Sequence, residues 1–398
     1  MKDANELERI EGIKRYLNGE KPSDICKSMG KTKPWLLKWV KRYNPANEDW
    51  YKDISKRPRI SPKKVDETIE SLIIKIRESL MEGSEDSMKY EHIGAEAIQY
   101  QMEKLGYDSS EIPSLSTIKR IITRNHLRVN KKERYKRIKS KGRYTILNPE
   151  YINEIHQMDF VGPRFIKGFG PINSLHLKDV VGRQVVGNQY LGKSMDNVIE
   201  FLLRNWKRHP IPRYIQTDNG MSFAGDFIHP RMFSRYVRLC LYVGIEVIFI
   251  APAKPWMNGT IEEFNKEFNR IFWTSEIFSS LKDIRSKSKI FYERQNEFNK
   301  WKQEKKNLSS ISPERLLPKN FKIDSRNIPL VAGKIHFIRV VNSNGDITIL
   351  NEKFHIGDEY IGEFVWATVD TGKQVLIINY NDEEMRVIKI KQYEYKID

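Results

Sequence analysis

The first 44 residues carry apolar positions at the three- and four-residue spacing of amphipathic helices. Ile10, Ile13 and Leu17 share one face in this region, and Gly30 separates two short apolar segments. The pattern predicts three helices, over residues 6–17, 25–29 and 33–43. Two short helices joined by a Gly-containing turn are typical of a helix-turn-helix, whose last helix lies in a DNA major groove. An ordinary three-helix bundle is the alternative.

A second group of helical segments follows the Pro-containing stretch RPRISPKK. Ile69, Ile73 and Ile76 share one face of the first segment, and the pattern predicts helices over residues 63–80, 94–105 and 117–125. Ser116 is expected to be the N-cap of the third helix, because a serine hydroxyl can accept a free helix N–H. The chain is therefore predicted to begin with tandem helix-turn-helix modules.

From about residue 150 the apolar positions alternate, which is the spacing of β-strands. Three successive strands separated by short turns predict an antiparallel meander, at residues 155–161, 172–181 and 184–191. Helices and strands then alternate, with helices over 194–206 and 232–243, strands over 213–217 and 245–250, and a further helix after Asn258-Gly259. This order predicts a mixed sheet with helices on both faces.

The remaining third of the chain divides into a helical and a strand-rich part. Residues 275–325 are rich in Lys and Glu and are predicted to be helical. Five short strands are predicted beyond them, at residues 333–341, 346–350, 363–369, 375–380 and 385–390, with Asn344-Gly345 as a strong turn signal. A small β-barrel of SH3-like type is expected there, so the predicted fold class is multidomain α+β around an α/β core.

The formal net charge is +17, from 69 basic and 52 acidic residues. Such a surplus favours a polyanionic partner, because Lys and Arg displace counterions from phosphates, although a merely soluble basic protein is the alternative. The N-terminus lacks the apolar segment of a signal peptide, and no run of about 18 apolar residues occurs. Only Cys26 and Cys240 are present, so no disulfide framework is expected. We expect a cytoplasmic protein that binds no membrane, but charge alone does not identify its partner. Binding of double-stranded DNA and nucleoid association are expected only if the helix-turn-helix interpretation holds.

Basic side chains on the last helix of each module are candidate DNA contacts. They are Lys33, Lys38, Lys41 and Arg42 in the first module and Lys119, Arg120 and Arg124 in the second. Residues 128–143 hold nine basic side chains against one Glu. Arg134, Lys136 and Arg137 in this stretch are expected to follow the phosphate backbone, and a solvated linker is the alternative.

Three acidic residues stand at the predicted core sheet. Asp159 lies on an otherwise apolar strand, Asp218 ends another strand, and Glu262 lies in the first turn of the helix after Asn258-Gly259. Burying an ionised carboxylate is costly unless it meets a cation or hydrogen-bond donors. Carboxylate oxygens suit Mg²⁺ or Mn²⁺, and two such ions can hold the attacking and leaving oxygens of a phosphodiester displacement. We expect the three acids to converge on two divalent ions.

The motifs HQMDF around Asp159, QTDNGMSF around Asp218 and NGTIEEFNKEF around Glu262 occur in order on fitting elements. Through these three motifs, segment 150–275 resembles the catalytic core of retroviral integrases and of DDE-class insertion-sequence transposases. The resemblance implies a ribonuclease H-like fold, metal binding by these three acids, and contact of Lys266 with terminal DNA phosphates. The flanking modules match the layout of bacterial integrase-core transposases. Recognition of mobile-element ends, cleavage and strand transfer into target DNA by a homo-oligomer are therefore implied.

Several alternatives stay open. Glu263 adjoins Glu262 and Asp179 competes with Asp159, although the family pattern implies a ligand at 262 and a structural role at 179. Asn219 either orients a carboxylate or makes the turn after Asp218, and the turn is favoured. Lys266 could simply be the i,i+4 partner of Glu262. A metal-dependent nuclease on the same fold and a non-catalytic DNA-binding regulator are the alternative functions.

The predicted domain boundaries follow from these elements. They are a helix-turn-helix domain at 1–60, a second one at 61–130, a basic linker at 131–149, a ribonuclease H-like integrase core at 150–275, a helical connector at 276–325 and an SH3-like barrel at 326–398.

Overall fold

A computed structural model describes residues 3–54, 65–83, 85–129, 147–166, 168, 170–225, 230–381 and 383–389. The chain divides into two compact units, residues 1–66 and residues 67–398.

The first unit contains three helices, α1 (Ala4–Leu17), α2 (Pro22–Met29) and α3 (Lys33–Arg42). Ile13, Ile25, Leu36 and Trp39 are buried at its centre. α2 ends at Gly30, whose φ of 64° lies in the left-handed region that glycine adopts without steric cost. The three helices that the apolar spacing predicted are therefore all present.

The second unit begins with three more helices, α4 (Glu67–Glu82), α5 (Ala95–Lys104) and α6 (Leu115–Arg124). The expected cap at Ser116 is wrong: the Ser114 hydroxyl accepts the Thr117 N–H at 3.4 Å, so α6 begins two residues earlier. The second helix-turn-helix module is not confirmed. Its helices form one unit with the sheet that follows, and the Tyr90 ring between α4 and α5 packs into the core of that unit.

The central sheet begins with the expected meander, β1 (Ile155–Ile166), β2 (Gly170–Asp179) and β3 (Val185–Tyr190). β4 (Tyr214–Thr217) and β5 (Glu246–Phe249) add in parallel on the other side of β1. The order of these strands is β3-β2-β1-β4-β5. The strand that carries Asp159 therefore lies in the middle of this part of the sheet.

Helices cover both faces of the sheet, as the alternation of elements predicted. They are α7 (Met195–Asn205), α8 (Met221–Ala224), α9 (Arg235–Tyr242) and α10 (Gly259–Phe268), together with α11 (Leu281–Lys305) from the region predicted to be helical over 275–325. That prediction is wrong for residues 306–325, which form no helix. Met158 and Leu175 belong to a core with α7 and α9. Phe264 of α10 and Phe291 of α11 form a second, aromatic core. A 3₁₀ turn over Pro255–Asn258 precedes α10, and a π-helical turn over Asn269–Trp273 follows it.

The C-terminal strands are β6 (Lys334–Val340), β7 (Asp346–Ile349), β8 (Glu352–His355), β9 (Phe364–Asp370), β10 (Val375–Tyr380) and β11 (Glu383–Lys389). The SH3-like barrel is not confirmed. β6 pairs in parallel with β5, with Ile335 opposite Val247, and β9, β10 and β11 continue the same nine-stranded sheet. The buried rings of Phe249 and Phe337 stack across this junction at 5.2 Å. Alternating apolar residues predict a strand but not the strand it pairs with, which is why the junction was missed.

The signal at Asn344-Gly345 does make a turn, since the Gly345 N–H donates to the Asn342 carbonyl at 3.1 Å. However, β7 pairs with β8 rather than with β6. Cys26 and Cys240 are buried free thiols. Within the described part of the chain, no helix is both long and apolar enough to cross a bilayer.

Candidate active site

Asp159, Asp218 and Glu262 line one cavity of about 320 Å³. β1 and β4 run in parallel with Gln157 opposite Gln216. Asp159 lies two residues further along β1, and Asp218 lies two residues further along the chain, just after the end of β4. The two aspartates are thereby brought to the same level of the sheet. Glu262 reaches the cavity from the first turn of α10. The structure therefore brings together the three acids that the sequence singled out.

Three hydrogen bonds made by side chains tie the start of α10 to the sheet. They join Gln157 Oε1 to the Ile261 N–H (3.0 Å), Asn258 Nδ2 to the Met158 carbonyl (3.3 Å) and Gln216 Nε2 to the Met257 carbonyl (2.7 Å). β1 and β4, which place the two aspartates, therefore also hold the helix that carries Glu262.

The surroundings of Asp159 shift the pKa of its carboxyl group. Burial is the main cause that raises the pKa of Asp159 to about 7, and the negative charges of Asp218 and Glu262 contribute to this rise in pKa. The positive charge of Lys193 acts in the opposite direction. A divalent cation between the carboxylates would favour their ionised forms.

Two further residues of α10 lie beside the acids. Asn265, one turn after Glu262, donates from Nδ2 to Asp159 Oδ2 at 2.9 Å. Lys266 Nζ lies 3.7 Å from Glu262 Oε2, and the Lys266 side chain is 68% exposed. Lys266 thus makes the i,i+4 contact with Glu262 while its ammonium group stays accessible from solvent.

The chemistry of the cavity fits a hard divalent ion. The charged side chains that line it are the three carboxylates and Lys254, and carboxylate oxygens are ligands that Mg²⁺ and Mn²⁺ take. The neighbouring carboxylates help to raise the pKa of Asp159, and a cation between the acids would stabilise its ionised form. In the described residues, no three acidic, His or Cys side chains are already arranged around a metal position. Asp159, Asp218 and Glu262 are the residues that would hold the ion.

The competing acids lie elsewhere. The Asp179 carboxylate accepts the N–H groups of Gly182 at 2.7 Å and Val181 at 3.3 Å, in the turn between β2 and β3. Glu263 is exposed on α10. Neither acid lines the cavity of Asp159, Asp218 and Glu262.

Asn219, beside Asp218, is held by a residue from the C-terminal strands. Its Nδ2 donates to the Ile250 carbonyl at 2.6 Å, and its Oδ1 accepts from Arg339 Nη2 at 2.9 Å. Burial lowers the pKa of Arg339 to about 10, so the guanidinium stays charged at neutral pH. Asn219 therefore connects the turn after β4 to β5 and β6.

Asn265 and Arg339 were not predicted as parts of the site. For Asn265 a signal existed, because position i+3 on a helix lies on the same side as Glu262. No local signal pointed to Arg339, since its strand was expected to belong to a separate barrel.

In the first unit, the candidate DNA contacts lie on α3. Lys33, Lys38 and Lys41 are exposed. The Arg42 guanidinium and Lys38 Nζ lie over the Trp39 ring, at 4.6 Å and 5.2 Å from its centroid. The basic surface of α3 is thus built around Trp39, and its contact with DNA stays a prediction.

In the second unit, Lys119 and Arg120 are exposed on α6. Arg124 is also exposed, and its guanidinium pairs with Glu70 of α4. The remaining candidates, Arg134, Lys136 and Arg137, lie outside the described residues.

Two family models match parts of the chain. Residues 243–300 match an integrase core domain, and residues 3–48 match a homeodomain-like domain. The first segment contains Glu262 but neither Asp159 nor Asp218, and the second spans α1 to α3. A search of curated proteins found no match.

Solved structures of integrase catalytic cores align with about a third of the chain. The HTLV-2 integrase catalytic core domain in complex with magnesium, in its trimeric form, is 17% identical with a TM-score of 0.27, over 35% of this chain and 83% of that one. The catalytic core domain of BIV integrase is 15% identical with a TM-score of 0.27, over 35% of this chain and 81% of that one.

Proposed function

We propose that this protein, an integrase-core chain with an N-terminal homeodomain-like domain, is a DDE transposase that cuts and joins DNA. The observation that carries the proposal is the cavity lined by Asp159, Asp218 and Glu262. The N-terminal helices would bind the double-stranded ends of a mobile element. The chain would act on these ends and on target DNA as a homo-oligomer.

Two Mg²⁺ or Mn²⁺ ions held by the three acids would stabilise charge on the attacking and leaving oxygens of the phosphodiester. The protein itself supplies positioning. Asn265 fixes one oxygen of Asp159, and Gln157 and Gln216 fix the start of α10. Lys266 offers an exposed ammonium group for a DNA phosphate beside Glu262.

The first experiment identifies the DNA. The full-length chain is footprinted on labelled fragments taken from both sides of its own coding sequence. Protection of one repeated sequence on both sides supports recognition of element ends. Uniform, salt-sensitive protection without a preferred sequence contradicts it.

The second experiment tests the chemistry. Oligonucleotides with the protected sequence and a free 3′-hydroxyl are incubated with a supercoiled plasmid and Mg²⁺ or Mn²⁺. We expect joined products, and a loss on the order of 100-fold or more in Asp159→Asn and in Glu262→Gln. Glu263→Gln is the matched control, because this neighbouring glutamate is exposed and does not line the cavity.

The same assay separates the alternative functions. Hydrolysed ends without joined products would indicate a metal-dependent nuclease. Sequence-specific binding that needs no metal, with neither hydrolysis nor joining, would indicate a DNA-binding regulator.

A further inference from the structure

A row of buried polar side chains continues from Asp159 into the protein. Across three strands, Asp159 lies opposite His176, and His176 lies opposite Gly187. Asn265 bridges the first pair, with its Nδ2 at 2.9 Å from Asp159 Oδ2 and its Oδ1 at 2.6 Å from His176 Nδ1. The Tyr292 hydroxyl of α11 lies 2.9 Å from His176 Nε2.

Two residues extend this row beyond Tyr292. Gln189 Nε2 donates to the Tyr292 hydroxyl oxygen at 3.2 Å, and the Ser288 hydroxyl lies 3.0 Å from Gln189 Oε1. We call the connected set the polar chain; it consists of Asp159, Asn265, His176, Tyr292, Gln189 and Ser288. It links α10 and α11 to the strand that carries Asp159.

The donor and acceptor at each step follow from the carboxylate. An ionised Asp159 can only accept, so Asn265 must present its Nδ2 to Asp159 and its Oδ1 to His176. Asn265 Oδ1 then needs a donor, which places a proton on His176 Nδ1.

The imidazole continues this order. Burial lowers the pKa of His176 to about 4, so the ring is neutral and carries one proton. With that proton on Nδ1, Nε2 must accept, and the Tyr292 hydroxyl is its donor. Tyr292 in turn accepts from Gln189, so each group has the partner that its role requires.

Gly187 provides the space for the bond between His176 and Tyr292. A Cβ at this position would lie 2.6 Å from His176 Cδ2 and 2.5 Å from Tyr292 Cζ, far inside van der Waals contact. The φ of Gly187 lies outside the left-handed region. The side chains rather than the backbone therefore require a glycine here.

We propose that His176 and Tyr292 are positioning residues for Asp159, which hold the Asn265 amide with its N–H toward the carboxylate. Without the Tyr292 donor, the His176 proton can move to Nε2 and the Asn265 amide can turn over. Two acceptors, Asn265 Oδ1 and Asp159 Oδ2, would then face each other. The carboxylate would lose its orientation toward Asp218 and Glu262. This inference deepens the proposed function and rests on it.

Tyr292→Phe tests the proposal because it removes the hydroxyl and keeps the ring in the aromatic core. We expect kcat for joining to fall about 10-fold and the Mg²⁺ concentration for half-maximal rate to rise, with an unchanged Kd for DNA. Tyr90→Phe is the matched control: it removes another phenol hydroxyl from the same core, one that donates to Glu276 at 2.6 Å. An equal loss in both variants would overturn the proposal.

Two substitutions at His176 and one at Gly187 sharpen the test. His176→Asn keeps a donor near the position of Nδ1, whereas His176→Leu removes it, so the Asn variant should retain more activity at similar stability. Gly187→Ala should reproduce the loss in Tyr292→Phe. Equal activity of the two His176 variants would speak against the proposal.

The protonated nitrogen of His176 can be measured without any reaction. In protein labelled with ¹⁵N-histidine, long-range ¹H–¹⁵N spectra should show a neutral His176 with its proton on Nδ1, and Tyr292→Phe should change this pattern. At pH 8, where Asp159 with its pKa of about 7 is mostly ionised, a wild-type proton on Nε2 or a charged ring would refute the polar chain. If the wild type joins no DNA, the proposed function fails. The spectrum still shows which nitrogen of His176 carries the proton, and so tests the hydrogen bonds of the polar chain separately.

Discussion

Gln157 accepts the N–H of Ile261 through its side-chain oxygen at 3.0 Å. Gln157 lies two residues before Asp159 on β1, and Ile261 lies one residue before Glu262 on α10. The bond thus spans the two elements that carry these acids. The bond therefore ties the position of Glu262 to that of Asp159.

Gln157→Met should weaken both the fold and the reaction. It leaves the buried Ile261 N–H without its acceptor, which costs about 1–3 kcal/mol in the free energy of unfolding. Glu262 is the residue after Ile261, so losing this bond should also displace Glu262. The rate of DNA joining should therefore fall more than the loss of stability explains. Denaturant unfolding and the joining assay measure the two effects. Gln99→Met is the control, since Gln99 of α5 donates to the Pro113 carbonyl at 2.9 Å and does not line the cavity. Full activity in Gln157→Met would refute this prediction.

The raised pKa of Asp159 predicts a pH-dependent stability in the absence of metal. The pKa of an aspartate is about 4 in an unfolded chain and for Asp159 is about 7 in the folded protein. Between these values the folded state binds more protons, so the contribution of Asp159 to the free energy of unfolding falls as the pH rises. In EDTA, the Tm of Asp159→Asn minus the Tm of the wild type should therefore increase from pH 4 to pH 7.

Adding Mg²⁺ should reduce this difference in Tm at pH 7, because the ion stabilises the ionised carboxylate. A difference that stays constant across the pH range would show that the pKa of Asp159 is not raised.

Tyr90 should be a major contributor to the docking of α4–α6 on the rest of the second unit. Its side chain is buried, with the ring 5.7 Å from Phe272 and 5.8 Å from Phe291. Tyr90→Ala should lower the free energy of unfolding by about 3–5 kcal/mol, as for other buried aromatic residues. Denaturant unfolding and limited proteolysis of α4–α6 measure the effect. A loss below about 1 kcal/mol would mean that the ring is not part of a packed interface.

The basic surface of α3 should bind DNA phosphates. Replacing Lys33, Lys38 and Lys41 together by Ala should raise the Kd for DNA. It should also reduce the dependence of log Kd on log salt by about 0.9 for each DNA phosphate that the variant no longer neutralises. Lys14→Ala is the control, since Lys14 is exposed on α1 of the same unit. Anisotropy titrations at several KCl concentrations measure both quantities, and an unchanged salt dependence would exclude this surface.

The elements whose signals are local could be predicted from the sequence. Alternation identified the meander of β1 to β3, and helical spacing identified α1 to α3. The placement of Asp159, Asp218 and Glu262 followed from strand phase and from the turns beside them. These features depend on residues close together in the chain, so a short window contains the information.

The features that were missed depend on pairing between distant segments. Nothing near Lys334–Val340 indicates that this strand lies beside β5, and Arg339 was missed with it. The bond between His176 and Tyr292 joins residues 116 positions apart, and only the register of β2 with β1 places His176 opposite Asp159. The sequence could not show whether Ser114 or Ser116 is the N-cap of α6, because both serines stand before the same apolar face of that helix.

The pairing of β6 with β5 has a consequence for cutting the protein into pieces. A fragment that ends near residue 325 would leave the N–H and C=O groups of β5 open, next to Val247 and Phe249. Such a bare, apolar strand edge attracts strands of other molecules and promotes aggregation. The segment that carries the three acids and the C-terminal strands should therefore be expressed and purified as a single piece.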